Sequence, residues 1–297
     1  MTMSIQPSRW QHLQQATLVR LLLALFATTL AGGLAQQWAA DQLRGTSWAA
    51  VSHLCGALAA LLAYVAYVRV VERRGVAELA ARPAARELGL GLAGGALLVV
   101  AVVGALAALG VYRFERLNPG LAGLPAGLAQ MVFVGVMEEL IMRAILMRLL
   151  ERALGTWAAL LLSALLFGVG HLPGDGAGVL AMVVAITAGA FFGAAYLATG
   201  RLWLPLALHV GWNFTLGHVF ALVVSGHERT AGLLEGHLAG SPWLTGSTYG
   251  LEASSLTLVL LLGGTALLLA RAVALGRIVP HGGAPRVHVN GTIPAQG

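Results

Sequence analysis

Eight apolar runs, each long enough or nearly long enough to cross a bilayer, constrain this 297-residue chain more than any other feature. A membrane-spanning helix needs about 20 mostly apolar residues, and eight such helices leave little chain for a water-soluble domain. Hydrophobic residues make up 58% of the sequence and charged residues only 10%, which excludes an ordinary soluble protein. We therefore predict an all-α fold, a polytopic membrane bundle of about eight transmembrane helices. The runs are Thr17 to Leu34, Trp48 to Val70, Leu88 to Tyr112, Ala126 to Leu150, Trp157 to His171, Val179 to Thr199, Leu202 to Val224 and Ser254 to Leu275.

The domain organisation predicted from these runs is simple. Residues 1–275 form a single transmembrane domain, and residues 276–297 form a mobile cytoplasmic tail. The single Cys55 lies in an apolar run, so no disulfide within the chain is possible. Residues Gly189 and Gly193 are four apart in the sixth run, a spacing that favours close packing between helices.

The distribution of arginine predicts the orientation in the membrane, because positively charged loops stay on the cytoplasmic side. If the N-terminus is cytoplasmic, thirteen arginines fall on the inner side and four on the outer side. Both termini are therefore expected in the cytoplasm, and the net charge of +6 reports topology, so no nucleic-acid partner is expected. Arginine in place of lysine, with heavy use of Ala, Leu and Gly, suggests the cytoplasmic membrane of a bacterium. The inner arginines are Arg9, Arg20, Arg69, Arg73, Arg74, Arg82, Arg86, Arg148, Arg152, Arg201, Arg271, Arg277 and Arg286, and the outer ones are Arg44, Arg113, Arg116 and Arg229.

Two adjacent carboxylates, Glu138 and Glu139, lie in the middle of the fourth run. Each ionised carboxylate at that depth costs roughly 2.5 to 3.5 kcal/mol on insertion scales, so the pair needs a partner or a function. Arg143 follows Glu139 by four residues and can pair with it on one face of a helix. Glu138 points about 100° away and has no such partner. We interpret Glu138 as the reactive group of an intramembrane hydrolase and Glu139 with Arg143 as its support.

Other polar side chains interrupt the later runs at His171, His209 and Asn213. The last two are four residues apart and share a helix face, and Phe167 stands in the same relation to His171. Together with Glu138 they could hydrolyse a peptide bond: a base takes a proton from water, an acid protonates the leaving amine, and donors stabilise the oxyanion. Phe167 is expected to pack and to shape the wall of the site.

These residues form three motifs that resemble a known family. Residues 138–143 read EExxxR, residues 167–171 read FxxxH and residues 209–213 read HxxxN. In this order, on separate membrane helices, they resemble the CAAX protease and bacteriocin-processing family of intramembrane endopeptidases. The resemblance covers about residues 124–214, the predicted signature core.

The resemblance implies a role for each motif residue. The first glutamate and the second-motif histidine, here Glu138 and His171, activate water, and His209 with Asn213 forms the oxyanion site. The second glutamate and the arginine are supportive. The family has also been described as metal-dependent, and Glu138, His171 and His209 could in principle hold Zn²⁺. We favour a glutamate mechanism without metal, because asparagine is a poor zinc ligand and no zincin motif is present.

Two other functions remain open at this point. One is a proton-coupled transporter, in which Glu138 and His209 form a proton relay; the absence of detectable repeats and the presence of Asn213 count against it. The other is a non-catalytic membrane scaffold or immunity factor with the same fold. The expected partners are the lipid bilayer and a membrane-associated or lipidated peptide substrate.

Overall fold

The computed structural model describes residues 9–120 and 123–281, with side chains from residue 17 onward. Within this part of the chain the structure is mostly helical, with one small two-stranded sheet, so the predicted all-α membrane bundle is confirmed. The helices are α1 (Arg9–Gln42), α2 (Val51–Tyr67), α3 (Ala84–Ala108), α4 (Leu124–Glu139), α5 (Arg148–Leu154), α6 (Thr156–Gly170), α7 (Val179–Thr199), α8 (Trp203–Phe214), α9 (Pro242–Thr245) and α10 (Ser255–Ala274).

The long apolar helices account for five of the eight predicted runs among the described residues. Segments Thr17–Gln42, Val51–Glu72, Ala84–Ala108, Val179–Thr199 and Ser255–Ala274 are long and apolar enough to cross a membrane. The other three runs, which carry the motifs, form shorter helices. A π-helical stretch, Leu140–Met147, joins α4 to α5, and a π-helical turn, Thr215–Val219, follows α8. Wider π turns therefore interrupt the fourth and seventh runs, and such turns are frequent at functional sites.

The connections gather at the two ends of the bundle as the sequence predicts. At one end, here called the arginine-rich end (residues 68–87, 148–156, 199–203 and 275–281), buried Glu72 pairs with Arg148 at 2.7 Å and Glu87 pairs with Arg201. Val279 exchanges hydrogen bonds with Thr156, and the remainder of the predicted tail lies outside the described residues.

The other end, here called the cap end, contains residues 43–50, 109–120, 171–178 and 220–254. Strands β1 (Tyr112–Leu117) and β2 (Leu234–Leu238) pair there in antiparallel fashion, with an irregularity between Phe114 and Arg116. The loop after α6 is tied to the segment 224–250, because Asp175 N–H donates to Gly226 O and Gly226 N–H donates to Tyr249 O. Residues 220–254, here called the cap, therefore lie over the ends of α6 and α8.

Glycines allow the motif helices to pack closely. A Cβ on Gly189 would lie 2.9 Å from the Cα of Ala164, and one on Gly193 would lie 2.5 Å from Leu160 Cδ1. This contact brings α7 against α6, which confirms the packing predicted for these two glycines. On the other side, a Cβ on Gly95 of α3 would lie 2.3 Å from the backbone oxygen of Leu208, so α3 and α8 also touch along their backbones. The motif helices are thus held from both sides.

Candidate active site

The two adjacent carboxylates end α4 and have different surroundings. Glu139 is fully buried, and its Oε1 accepts a hydrogen bond from an Arg143 guanidinium nitrogen at 3.1 Å, one helical turn later. Arg143 is also fully buried, donates to the carbonyl oxygen of Gly189 at 2.9 Å and lies over the rings of Phe167 and Phe192 at 4.8 and 5.4 Å. The predicted pairing within the first motif is therefore present, with α7 supplying a further acceptor.

Glu138 is oriented differently, and its side chain is about one-third exposed. Its Oε2 is buried and has no hydrogen-bond partner among the described residues. The nearest cation-forming group is His209, whose Nε2 lies 3.8 Å from that oxygen. This separation is too long for a direct hydrogen bond, and it leaves both atoms available to a third group.

His209 connects the first motif to the third. Its Nδ1 lies 2.9 Å from Glu139 Oε1, and its ring stacks on Phe192 with centroids 4.6 Å apart. Because an ionised carboxylate only accepts hydrogen bonds, Nδ1 carries the proton and Nε2 points to Glu138. The sequence predicted the pairing of Glu139 with Arg143 but not its contact with His209, which depends on how α8 is rotated against α4.

His171 immediately follows α6, and its Nδ1 lies 2.7 Å from the carbonyl oxygen of Phe167. A carbonyl oxygen is an acceptor, so Nδ1 is the protonated nitrogen and Nε2 has a free lone pair. The ring also packs against the Phe167 side chain, with centroids 4.5 Å apart. Phe167 therefore orients His171 through both its backbone and its ring, in agreement with its predicted place in the wall of the site.

A cavity of about 530 Å³, part of it open to the outside, brings the second and third motifs together. His171, His209 and Asn213 all line it, with Phe167 and Phe192 among its aromatic residues. Asn213 is buried one helical turn after His209, so both side chains reach the cavity from the same face of α8. Glu138 lies beside this group of side chains, with its Oε2 3.8 Å from His209 Nε2.

The cap completes the cavity with polar residues that the sequence analysis did not identify. Ser225, Tyr249 and Glu252 line it, together with Trp212 of α8. Burial raises the pKa of the Tyr249 phenol above its usual range, and the negative charges of Glu252 and, to a smaller extent, Glu138 raise it further. Tyr249 is therefore a neutral hydrogen-bonding group at neutral pH. The sequence marks none of these residues, since they lie in a long connection without a motif.

The zinc alternative is not supported by the side-chain arrangement. Among residues 17–120 and 123–281, no three His, Cys, Asp or Glu side chains form a group that could hold one ion. In the predicted set, the Nδ1 of each histidine bonds a protein oxygen, Glu139 for His209 and Phe167 for His171, and each Nε2 stays free, as it does in metal-ligating histidines. The choice between the metal-free and the zinc mechanism therefore stays a prediction, and no step below passes through a metal.

A comparison with models of known protein families supplies a match. Residues 119–215 match the family model described as "Type II CAAX prenyl endopeptidase Rce1-like". The matched segment contains all three motifs and confirms the family resemblance predicted from them. No curated protein matches the chain.

Proposed function

Because residues 119–215 match the model of the Rce1-like CAAX endopeptidases, we propose that this integral membrane protein is an intramembrane endopeptidase that uses glutamate- and histidine-activated water. The family supports a CAAX-type membrane protease in general. The observation that carries the finer proposal is the unpartnered, buried Oε2 of Glu138 at 3.8 Å from His209 Nε2, beside the cavity that His171 and Asn213 line.

The charges of the neighbouring groups at the site support specific roles. Glu138 and Glu139 contribute two negative charges and Arg143 one positive charge, and burying a net charge is costly. A protonated His209 makes the set neutral and gives it an N–H at both ring nitrogens. Nδ1–H then donates to Glu139, while Nε2–H points to the space in front of Glu138. In this state His209 is a suitable donor to a developing oxyanion.

The proposed reaction begins with water between Glu138 and His171. Glu138 takes one proton while His171 Nε2 accepts a hydrogen bond from the same water and orients it. The resulting hydroxide forms a C–O bond with the peptide carbonyl carbon, and the carbonyl oxygen becomes an oxyanion bound by His209 and the NH₂ group of Asn213. Glu138 then returns the proton to the amide nitrogen as the oxyanion re-forms the carbonyl and the C–N bond breaks. The products are a carboxylic acid and an amine, and the acid then loses its proton to the amine.

The cavity walls indicate the kind of substrate. Phe167, Val184, Phe191, Phe192 and Leu261 provide apolar surface beside the reactive groups. We therefore propose a membrane-associated or lipidated peptide as substrate, with an apolar segment against these residues.

The orientation of the protein is part of the proposal. The arginine distribution favours both termini in the cytoplasm, and buried ion pairs such as Glu72 with Arg148 lie at the arginine-rich end. The cavity then lies under the cap in the extracytoplasmic half of a bacterial cytoplasmic membrane. Labelling of an introduced Thr248→Cys cap residue by a membrane-impermeant thiol reagent from outside intact cells checks this, in a Cys55→Ser background. Labelling only after the cells are opened would contradict it.

The test of the function is a comparison of membrane peptides from cells carrying the native protein and the Glu138→Gln variant. A protease yields cleavage products that disappear in the variant, while the variant protein remains folded at the same level. A transporter instead loses proton-coupled uptake with no change in peptides. If both cell types contain the same peptides under every condition, the scaffold function replaces this proposal.

A further inference from the structure

Glu252 is a partly buried carboxylate of the cap, and both of its oxygens accept hydrogen bonds. Its Oε1 accepts a hydrogen bond from the indole N–H of Trp212 at 2.9 Å. Its Oε2 accepts one from the Ser225 hydroxyl at 2.9 Å and another from the Ser225 backbone N–H. The residue lies in a single 3₁₀ turn, Leu251–Ala253, and lines the same cavity as His209 and Asn213. It therefore joins two parts of the cap to helix α8.

Trp212, the partner of Glu252 on α8, lies next to the oxyanion residues in the sequence. Trp212 immediately precedes Asn213 and follows His209 by three residues, so all three belong to one turn of the helix. Trp212 is buried, and its backbone nitrogen would lie 2.6 Å from a Cβ placed on Gly95 of α3. Contact with α3 thus fixes one side of this turn. The hydrogen bond to Glu252 fixes the indole on the side of the cap.

The second partner is held in an unfavourable backbone conformation. Ser225 has φ +49°, in the left-handed region that residues other than glycine seldom occupy. Such conformations persist where the surrounding structure over-determines them, and they cluster at functional sites. Here the Glu252 carboxylate binds both the backbone N–H and the hydroxyl of Ser225, which accounts for the retention of this backbone conformation.

Building on the proposed endopeptidase function, we propose that Glu252 is a positioning residue for the oxyanion pair His209 and Asn213, acting through the Trp212 indole. Glu252 and Ser225 lie outside the family-matched segment 119–215, so this role comes from the geometry of the cap. Its physical basis is that oxyanion donors act only when they are held in place before the reaction, and small displacements of such groups lower the rate strongly.

The test uses the purified protein in micelles with a peptide that the native protein cleaves. In Glu252→Gln, an NH₂ group replaces one of the two acceptor oxygens and faces either the Trp212 indole N–H or the Ser225 N–H, so the side chain no longer holds both partners. We expect kcat to fall by about 10- to 100-fold while KM changes by less than about twofold, because the interaction is made to the transition state. The matched control is Glu235→Gln, a cap carboxylate paired with Arg116 on the sheet, which is expected to keep the native kcat.

A double-variant cycle separates positioning from a general effect on structure. If Glu252 acts through the indole, Trp212→Phe lowers kcat to a similar extent, and the double variant is no slower than the worse single variant. The Ser225→Gly variant removes only the hydroxyl donor, tolerates the φ of +49°, and is expected to give a smaller loss of kcat. Multiplicative losses in the double variant would overturn the inference.

A spectroscopic measurement, which does not require catalytic activity, tests the same link in variants that fold poorly. With 5-fluorotryptophan in the protein, the ¹⁹F resonance of Trp212, assigned with Trp212→Phe, is expected to shift in Glu252→Gln and to stay in place in Glu235→Gln. An unshifted resonance, or native kcat in Glu252→Gln, would refute the positioning role and leave the endopeptidase proposal intact. If the native protein cleaves no peptide, the function itself fails and the inference fails with it.

Discussion

Replacement of Glu139 by glutamine tests the buried charge arrangement next to the reactive carboxylate. In the native protein Glu139 accepts hydrogen bonds from Arg143 at 3.1 Å and from His209 at 2.9 Å, and all three side chains are buried. Breaking a buried ion pair by removing one charge costs about 3 to 5 kcal/mol, because the other charge is left without compensation. The glutamine oxygen still accepts one neutral hydrogen bond, which offsets about 1 kcal/mol. We therefore expect the free energy of unfolding to fall by about 3 kcal/mol.

The same change is expected to lower the rate. Without the Glu139 carboxylate the imidazolium form of His209 loses its acceptor, so the oxyanion donor at Nε2 is no longer supplied. Removal of one such donor costs about 10²- to 10³-fold in kcat. The assays are denaturant unfolding in mixed micelles, followed by tryptophan fluorescence, and peptide cleavage under the same conditions. Glu115→Gln, a half-exposed carboxylate on β1, serves as control and should change the unfolding free energy by less than about 0.5 kcal/mol.

A double variant separates stability from catalysis. In Glu139→Gln with Arg143→Met neither charge is buried, so the unfolding free energy should return to within about 1 kcal/mol of the native value. Cleavage should stay slow, since His209 still lacks its carboxylate. Native stability of the single variant, or a double variant that is less stable than the single, would refute the reasoning.

Three further changes follow from the structure. In Gly189→Ala, the new Cβ would lie 2.9 Å from the Ala164 backbone of α6. This change should lower the free energy of unfolding by about 1 to 3 kcal/mol in the same unfolding assay. The control Gly104→Ala, whose Cβ would have no neighbour within 4 Å, should not lower it. Glu78→Gln should cost about 3 kcal/mol by the same measurement, because this buried carboxylate pairs with Arg74 at 2.6 Å. Burial alone would raise the pKa of the Glu78 carboxyl, but Arg74 and Arg148 lower it overall. The native protein should therefore lose this stabilisation as the pH falls below the ordinary pKa of 4.5. The Glu78→Gln variant should lack that pH dependence. Chelators should leave peptide cleavage unchanged, and loss of cleavage that Zn²⁺ restores would instead support a metal-dependent reaction.

The local geometry within each motif could be predicted from the sequence. Helical spacing places Glu139 beside Arg143 and His209 beside Asn213, and the structure shows the first pair at 3.1 Å and the second on one face of α8. Residues three or four apart are neighbours on any helix, whatever the tertiary fold. The apolar runs likewise predicted the bundle and the segments that meet at each of its ends.

The contacts between motifs could not be predicted from the spacing of residues in the sequence. The bond between His209 and Glu139 depends on the rotation of α8, which close contact with Gly95 of α3 helps to set. The hydrogen bonds of Glu252 depend on the path of a long loop, for which the sequence has no periodic signal. Two of the three motif-bearing runs, the fourth and the seventh, also form shorter α-helices than predicted, because π-helical turns divide them.

The most direct test of the central claim is single-turnover cleavage by the purified native protein and by Glu138→Gln, in the same micelles and with the same peptide. The account predicts cleavage by the native protein and a loss of at least about 10²-fold in the variant, with unchanged peptide binding, because glutamine cannot take a proton from water. Cleavage by Glu138→Gln at the native rate would contradict the claim that this carboxylate activates water.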